Sequence, residues 1–447
     1  MSTNGSMGRA FVLSALVVGM FGRWAAGAAE PAGADGKTGA GGQGQTLPPE
    51  KAEGIGTRTP GHIPEPFTVV VGNGRYCPVV VTTNGTLVMV KGIGRIGADG
   101  LQQNIGAVRS TDGGRTWGQE NPITKDGNWF DTKADPKIDY TYPQVLLDRD
   151  TGIIWLLHNV RMQKGKMAEK DGRGRSQWTE RRWYAVVRCS KDDGLTWSEP
   201  VYEFTKAAGG RPAVGSVTTG TQLGSGRLLF SGQAYMSDTA DVTQACCLYS
   251  DDHGKTWQPG HPVPRGRGMP AMGNSTIVEL LDGRLLFLMR PRGSAKLRTK
   301  AYSCDGGNTW SASEKASTPN PDCVSATAGF VRLSDEKRHD RNRLLYSGAP
   351  AGDKSRGNLY IWISYDEGET WQMLKNITKG SSYSHLAVLP DMSIGCSYDG
   401  GPKGAVGLSE DEKKKAKGGW SCCFARFTLE WLTDGKDKVD VSKFTKK

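Results

Sequence analysis

One eight-residue frame recurs five times in this chain and constrains its fold more than any other feature. Ser110–Trp117 reads STDGGRTW, Ser190–Trp197 SKDDGLTW, Ser250–Trp257 SDDHGKTW, Ser303–Trp310 SCDGGNTW and Ser364–Trp371 SYDEGETW. The starts lie about 80, 60, 53 and 61 residues apart, a period that signals a propeller or a solenoid. Each frame closes an apolar stretch, as in GRLLFSG before CCLYSDDHGKTW and GRLLFLMR before TKAYSCDGGNTW. That order is strand, turn, strand, and then the frame as a hairpin turn. Ser and Asp side chains bond neighbouring backbone amides, Gly supplies a positive φ, and Trp packs under the turn. The frames are therefore structural, and the chemistry lies elsewhere. Five frames and a closing unit, built from the strand near Phe67–Val71 and the strands after Tyr383, predict an all-β, six-bladed β-propeller.

Composition agrees. The chain has 61 glycines and 13 tryptophans, which fits many turns between short aromatic-rich strands rather than a helical bundle. The formal net charge is +11. Much of that excess sits in DEKKKAKGG near residue 415 and in the final KFTKK, a solvated basic loop and tail. No Lys/Arg stripe alternates with aromatics, so nucleic acid is not expected as a partner.

The N-terminus reads as an export signal. Arg9 precedes the apolar run AFVLSALVVGMF, which is shorter than the roughly 20 residues a membrane span needs, and small residues follow. Residues 1–28 are thus expected to be a signal peptide, 29–58 a flexible linker, 59–432 the propeller and 433–447 a basic tail. The expected location is secreted or periplasmic, without stable membrane association. The nine cysteines form no Cys-x-x-Cys and have no grouped histidines, so buried free thiols are expected and no metal is implied.

Beyond the frames, longer stretches resemble the sialidase family, whose repeats are called Asp boxes or BNR repeats. The resemblance runs from about residue 66 to 432. LLYSGAPAGDKSRGNLYIWISYDEGETW is similar to that family's fifth-repeat region, and GSSYSHLAVLPDMSIGCSYDGG to its nucleophile segment. TYPQVLLDRDTGIIWLL and IVELLDGRLLFLMR look like family blades. The resemblance implies a retaining exo-hydrolase acting on terminal α-linked sialic acid or a related acidic keto-sugar. No cofactor is implied and a monomer is expected. An arginine trio grips the sugar carboxylate, because planar guanidinium forks match it. A neutral phenol replaces the usual carboxylate nucleophile, which the substrate's own carboxylate would repel.

Carried over residue by residue, Tyr383 takes the nucleophile position and Asp99, in GRIGADG ahead of the first frame, that of the acid/base. Arg290 and Arg356 match two of the trio, and Arg95 resembles an additional arginine of the first blade. Asp399, after Tyr398, stands where the family's acid braces its first arginine. Two positions depart. The family's first arginine falls on Tyr76 in strict register, with Arg75 one residue early; a bulge would bring Arg75 back to the pocket. The family's assisting glutamate falls on Asn274, which can orient a phenol but cannot accept its proton. Glu279 and Asp322 are the nearest acids in sequence that could substitute. These departures leave a second reading, a non-catalytic glycan-binding propeller.

Overall fold

A computed structural model describes residues 64–97, 102–170, 176–236, 242–292, 298–316, 328–350, 357–381, 383–416 and 420–440. Asp99, Asp322 and Arg356, together with the expected signal peptide and linker, lie outside the described residues.

The strands form six sheets around one axis. Blade one contains β2 (Val79–Val81), β3 (Leu87–Ile96), β4 (Gln102–Ser110) and β5 (Asn121–Pro122). Blade two contains β6 (Lys137–Leu147), β7 (Ile154–Lys170), β8 (Ser176–Ser190) and β9 (Tyr202–Phe204). In blade three the inner position is shared by β10 (Ala213–Gly215) and β11 (Thr221–Gln222), both paired with β12 (Leu228–Tyr235), followed by β13 (Thr243–Ser250) and β14 (Gln258–Pro259). Blade four runs β15 (Met272–Glu279), β16 (Leu285–Pro291), β17 (Thr299–Ser303), β18 (Glu314–Lys315), and blade five β19 (Phe330–Ser334), β20 (Arg343–Gly348), β21 (Leu359–Ser364), β22 (Gln372–Thr378). Blade six joins β23 (Ser384–Val388), β24 (Ile394–Gly400) and β25 (Ser421–Phe427) to β1 (Phe67–Asn73) from the other end of the chain. Pairing of Phe67 with Arg426 through Asn73 with Ser421 closes the ring.

The apolar stretches are continuous rather than alternating, and the packing explains why. Along β12, Leu228 and Phe230 enter the core between blades two and three, whereas Leu229 enters that between three and four. Along β16, Leu285, Phe287 and Met289 face blade three while Leu286 and Leu288 face blade five. Successive side chains point to opposite faces of a strand, and here each face meets a neighbouring blade. Seven of the eight described cysteines are buried free thiols in these layers; Cys304 is exposed.

Each frame turns between the third and fourth strands of its blade. In the first, Asp112 accepts from the amides of Arg115 (2.9 Å) and Thr116 (3.0 Å), and Ser110 Oγ accepts from the Gly114 amide (2.9 Å). The fifth-position glycines have φ between 80° and 92° (Gly254 and Gly114). A further function was not visible in sequence. A Cβ on Gly114 would strike Phe424 of blade six, on Gly194 Val88 of blade one, on Gly254 Trp155 of blade two, and on Gly307 and Gly368 Leu229 and Leu286 of blades three and four. Every frame thus presses its blade onto the preceding one.

The basic stretch near residue 415 is a short exposed helix rather than a loop: α1 (Glu410–Lys415) starts on the Ser409 N-cap and pairs Lys414 with Asp411 at 3.0 Å. After α2 (Leu429–Leu432), Asp437 forms a 2.6 Å ion pair with buried Arg343 of blade five. No helix among the described residues is long and apolar enough to cross a membrane.

Candidate functional site

The inner strands all begin at one mouth of the central channel, and Tyr383 sits there at the entry to β23. It is buried with Tyr76 and Val217, and Tyr142 packs beside them. These residues come from blades six, one, three and two, so the cluster exists only once the ring is closed.

Asp399 organises the cluster. Its Oδ1 accepts from the Tyr383 amide (2.8 Å), and its Oδ2 accepts from the Tyr76 amide (3.1 Å) and from Arg75 Nε (3.3 Å). Burial pushes the Asp399 carboxyl above the ordinary carboxylate range, and the Arg75 cation and the two amides offset only part of that. The Arg75 guanidinium lies 3.8 Å from the Trp420 ring centroid, 4.9 Å from that of Tyr76 and 5.7 Å from that of Tyr383. An indole above a guanidinium contributes cation–π attraction where water is excluded.

The strict choice between Arg75 and Tyr76 dissolves in this geometry. Tyr76, in the connection between β1 and β2, has φ +53°, a left-handed conformation that breaks the extended alternation of side chains. Both side chains therefore reach Tyr383, with the Tyr76 ring 4.8 Å from it. Tyr142 repeats the device, with φ +55° beside a register shift between Thr141 and Gln144. Left-handed backbone at bulky residues costs on the order of 1–2 kcal/mol each and concentrates at sites that need side chains re-aimed.

Asn274 lies near the same end of β15, where the register shifts between Met272 and Ser275. Its Oδ1 accepts from Gln233 Nε2 at 2.5 Å and from Ser216 Oγ at 3.5 Å. The group at this position is thus a neutral amide, fixed by another neutral amide. Glu279 cannot replace it. It stands five residues further along the strand, roughly 17 Å at 3.3 Å per residue, and its carboxylate accepts from the Gly224 amide at 2.7 Å. It lines a separate cavity of about 630 Å³ at the channel's other mouth, with Arg332 and Asp335.

Arg290 is half-buried near the end of β16, beside the β15 residues that carry Asn274. Arg95 is exposed and its guanidinium lies 4.8 Å from the Phe130 ring centroid. Tyr142, Trp420, Gln233 and Ser216 were not singled out from sequence. Tyr142 alone left a trace, since YPQV repeats the Tyr-x-x-Val spacing of YCPV at Tyr76.

The six-bladed propeller thus combines five Ser-x-Asp-x-Gly-x-Thr-Trp turns with a tyrosine–arginine–carboxylate cluster at one axial mouth. Residues 108–396 match the BNR repeat-like domain, and the chain belongs to the BNR-repeat sialidase family. It is 32% identical over 335 residues to a sialidase of Micromonospora viridifaciens, covering 72% of this chain and 46% of that protein. To a sialidase of Bacteroides fragilis it is 28% identical over 336 residues, covering 72% and 59%. The chain thus spans about half the length of these curated relatives. Among solved structures it is similar in fold to the Hadza microbial sialidase Hz136 (TM-score 0.61, 23% identity, 81% of this chain and 66% of that one). It is also similar to the intramolecular trans-sialidase from Ruminococcus gnavus (TM-score 0.58, 18% identity, 81% and 97%).

Proposed function

We propose that the chain is an exported, retaining exo-glycosidase of the sialidase type, which removes terminal sialic acid or a related acidic keto-sugar from glycoconjugates. The observation that carries this reading is the seating of Tyr383: its amide is held by Asp399, and the guanidinium that Asp399 pairs with lies 5.7 Å from the tyrosine ring. A cation at that range stabilises negative charge developing on the phenol oxygen. Tyr383 Oη attacks the anomeric carbon and releases its proton to water, since Asn274 cannot take it. Meanwhile the bond to the leaving oxygen breaks, and Asp99 supplies the proton that oxygen takes up; the phenolate regains a proton from water when it is displaced. Asp99 then accepts a proton from the water that displaces the tyrosine, which leaves with net retention. Arg290, Arg356 and Arg95 belong to the carboxylate grip and its surroundings. The mature chain starts near Ala29, with its propeller over 59–432, and works outside the cytoplasm as a monomer.

The test is incubation with a fluorogenic α-sialoside, with the anomeric configuration of the first product read by NMR. Release of the β-anomer expected from net inversion, or release of no sugar at all, would sink the retaining hydrolase.

A second reading is favoured by Asn274. The phenol proton has no carboxylate at this position to receive it, and general-base help is worth roughly 10²–10⁴-fold. If the site is otherwise complete, Asn274→Glu raises sialoside turnover. Binding without turnover in both forms selects the glycan-binding propeller.

A further inference from the structure

The seam where the first and last blades meet holds two thiols in contact. Cys77 follows Tyr76 and leads into β2 of blade one, while Cys422 lies on β25 of blade six. Both are free thiols, both are fully buried in one apolar cluster, and the two share a hydrogen bond. The backbone closes over them: a Cβ on Gly74 would lie 3.0 Å from the Cys422 sulfur.

Strand alternation decides which of two neighbouring cysteines meets Cys77. Adjacent residues of β25 point to opposite faces. Cys422 joins the core shared with blade one, and Cys423 the core shared with blade five. Cys246 and Cys247 on β13 are divided between two cores in the same way. The pair also borders the axial mouth. Cys422 stands opposite Asp399 in register, and Tyr76, next to Cys77, donates its amide to that carboxylate at 3.1 Å. A bond between the two sulfurs would span the same seam as the Arg75–Asp399 pair.

We propose that Cys77 and Cys422 form a disulfide when the chain folds in an oxidising compartment, locking blade one to blade six. The inference takes its setting from the export reading given above. One cysteine, as thiolate, attacks a low-molecular-weight disulfide such as oxidised glutathione and expels one glutathione thiol. The second then attacks the mixed disulfide: the Cys77 Sγ–Cys422 Sγ bond forms, and the second glutathione leaves reduced. The two electrons and the two cysteine protons end on the two glutathione thiols. Burial pushes the Cys77 thiol well above its ordinary range, and only a thiolate attacks. The exchange therefore belongs to folding, before the seam shuts, and the finished bond is shielded from reductants. Because its ends lie at opposite ends of the propeller sequence, it constrains the unfolded chain strongly.

The experiment makes the full chain by cell-free translation in a glutathione redox buffer and, separately, in dithiothreitol. Free thiols are alkylated, and peptides are mapped by mass spectrometry without reduction. In the redox buffer a peptide carrying Cys77 should be linked to one carrying Cys422, and dithiothreitol should abolish the link. Cys423→Ser should keep it, and Cys422→Ser should lose it. The thermal midpoint of wild type should be lower by on the order of 5 °C when the chain is made in dithiothreitol. In Cys77→Ala the two media should give the same midpoint. Alkylated Cys77 in folded wild type from the redox buffer, or a link through Cys423, would overturn the proposal. The buffer supplies the oxidant, so the result does not depend on export. A link in the buffer, with free thiols in protein recovered from cells, would uphold the pair and contradict the export reading alone.

Discussion

The outer frames and the axial mouth both place bulky residues in left-handed backbone, but the two regions hold them there differently. In the frames, Asp193, His253 and Glu367 adopt φ of 54°, 57° and 59° at the fourth position, inside turns whose bonds span two to four residues. At the mouth, Tyr76 and Tyr142 adopt similar angles, yet the carboxylate that fixes Tyr76 is 323 residues away. A frame is a local solution repeated five times. The mouth is a single solution assembled from four blades, so damage should be graded in one region and abrupt in the other.

The largest expected effect tests the mouth. Tyr383→Phe keeps the ring that packs on Tyr76 and removes only the oxygen assigned to attack. Turnover of an aryl sialoside is expected to fall on the order of 10⁴–10⁶-fold, the scale of losing one member of a catalytic unit, with the unfolding midpoint nearly unchanged. A variant within tenfold of wild type would move the nucleophile elsewhere.

Asp399→Ala comes next. It removes the buried carboxylate that pairs with Arg75, whose side chain is only 2% exposed, and that accepts from the Tyr76 and Tyr383 amides. Removing one partner of a buried pair costs roughly 3–5 kcal/mol, to be read from urea unfolding at neutral pH. A loss under 1 kcal/mol would show that the pair is not what holds the mouth.

Gly254→Ala tests a frame. A Cβ there would lie 2.0 Å from the Trp155 ring, at φ +80°. Left-handed strain and overpacking together predict about 2–4 kcal/mol of destabilisation. Gly283→Ala is the control, because φ is +84° and nothing lies within 4 Å of the added carbon. It should lose only the strain, about 1–2 kcal/mol. Equal losses in the two variants would mean that the frames do not press blade on blade.

The contrast also explains what the sequence could reveal. Frame chemistry is local, so Ser110, Asp112, Gly114 and Thr116 disclose their own bonds, and their recurrence counts the blades. The contact of Gly254 with Trp155 joins two blades and is invisible to a local pattern. At the mouth, Tyr383 and Asp399 were legible because they lie in one segment with a family resemblance. Tyr142, from blade two, meets that segment only after ring closure. Glu279 shows the opposite error. It is near Asn274 in sequence, yet a strand turns five residues into the distance between two mouths. In the same way, the apolar runs of β12 and β16 are continuous because each strand has a blade on either side.

The smallest effect separates the two regions by pH. Thr256, through its hydroxyl and its amide, holds the Asp252 carboxyl down to about 2. The unfolded value is about 3.9, so the folded state prefers the ionised form. The stabilisation from Asp252 is complete above about pH 4 and is lost as pH falls toward 2. Asp399 has the opposite sign: burial raises it, so its contribution favours the folded state at acid pH and declines as pH rises through its folded value. Asp252 stays near solvent, where screening limits such a group to a few tenths of a kcal/mol. The measurement is the difference in urea midpoint between wild type and Asp252→Asn at pH 6, 4 and 2.5. That difference should be constant from pH 6 to about 4.5 and shrink below it. A difference that persists unchanged at pH 2.5 would show that Thr256 bonds the oxygen without regard to its charge, and that the frame carboxylates are held by shape alone.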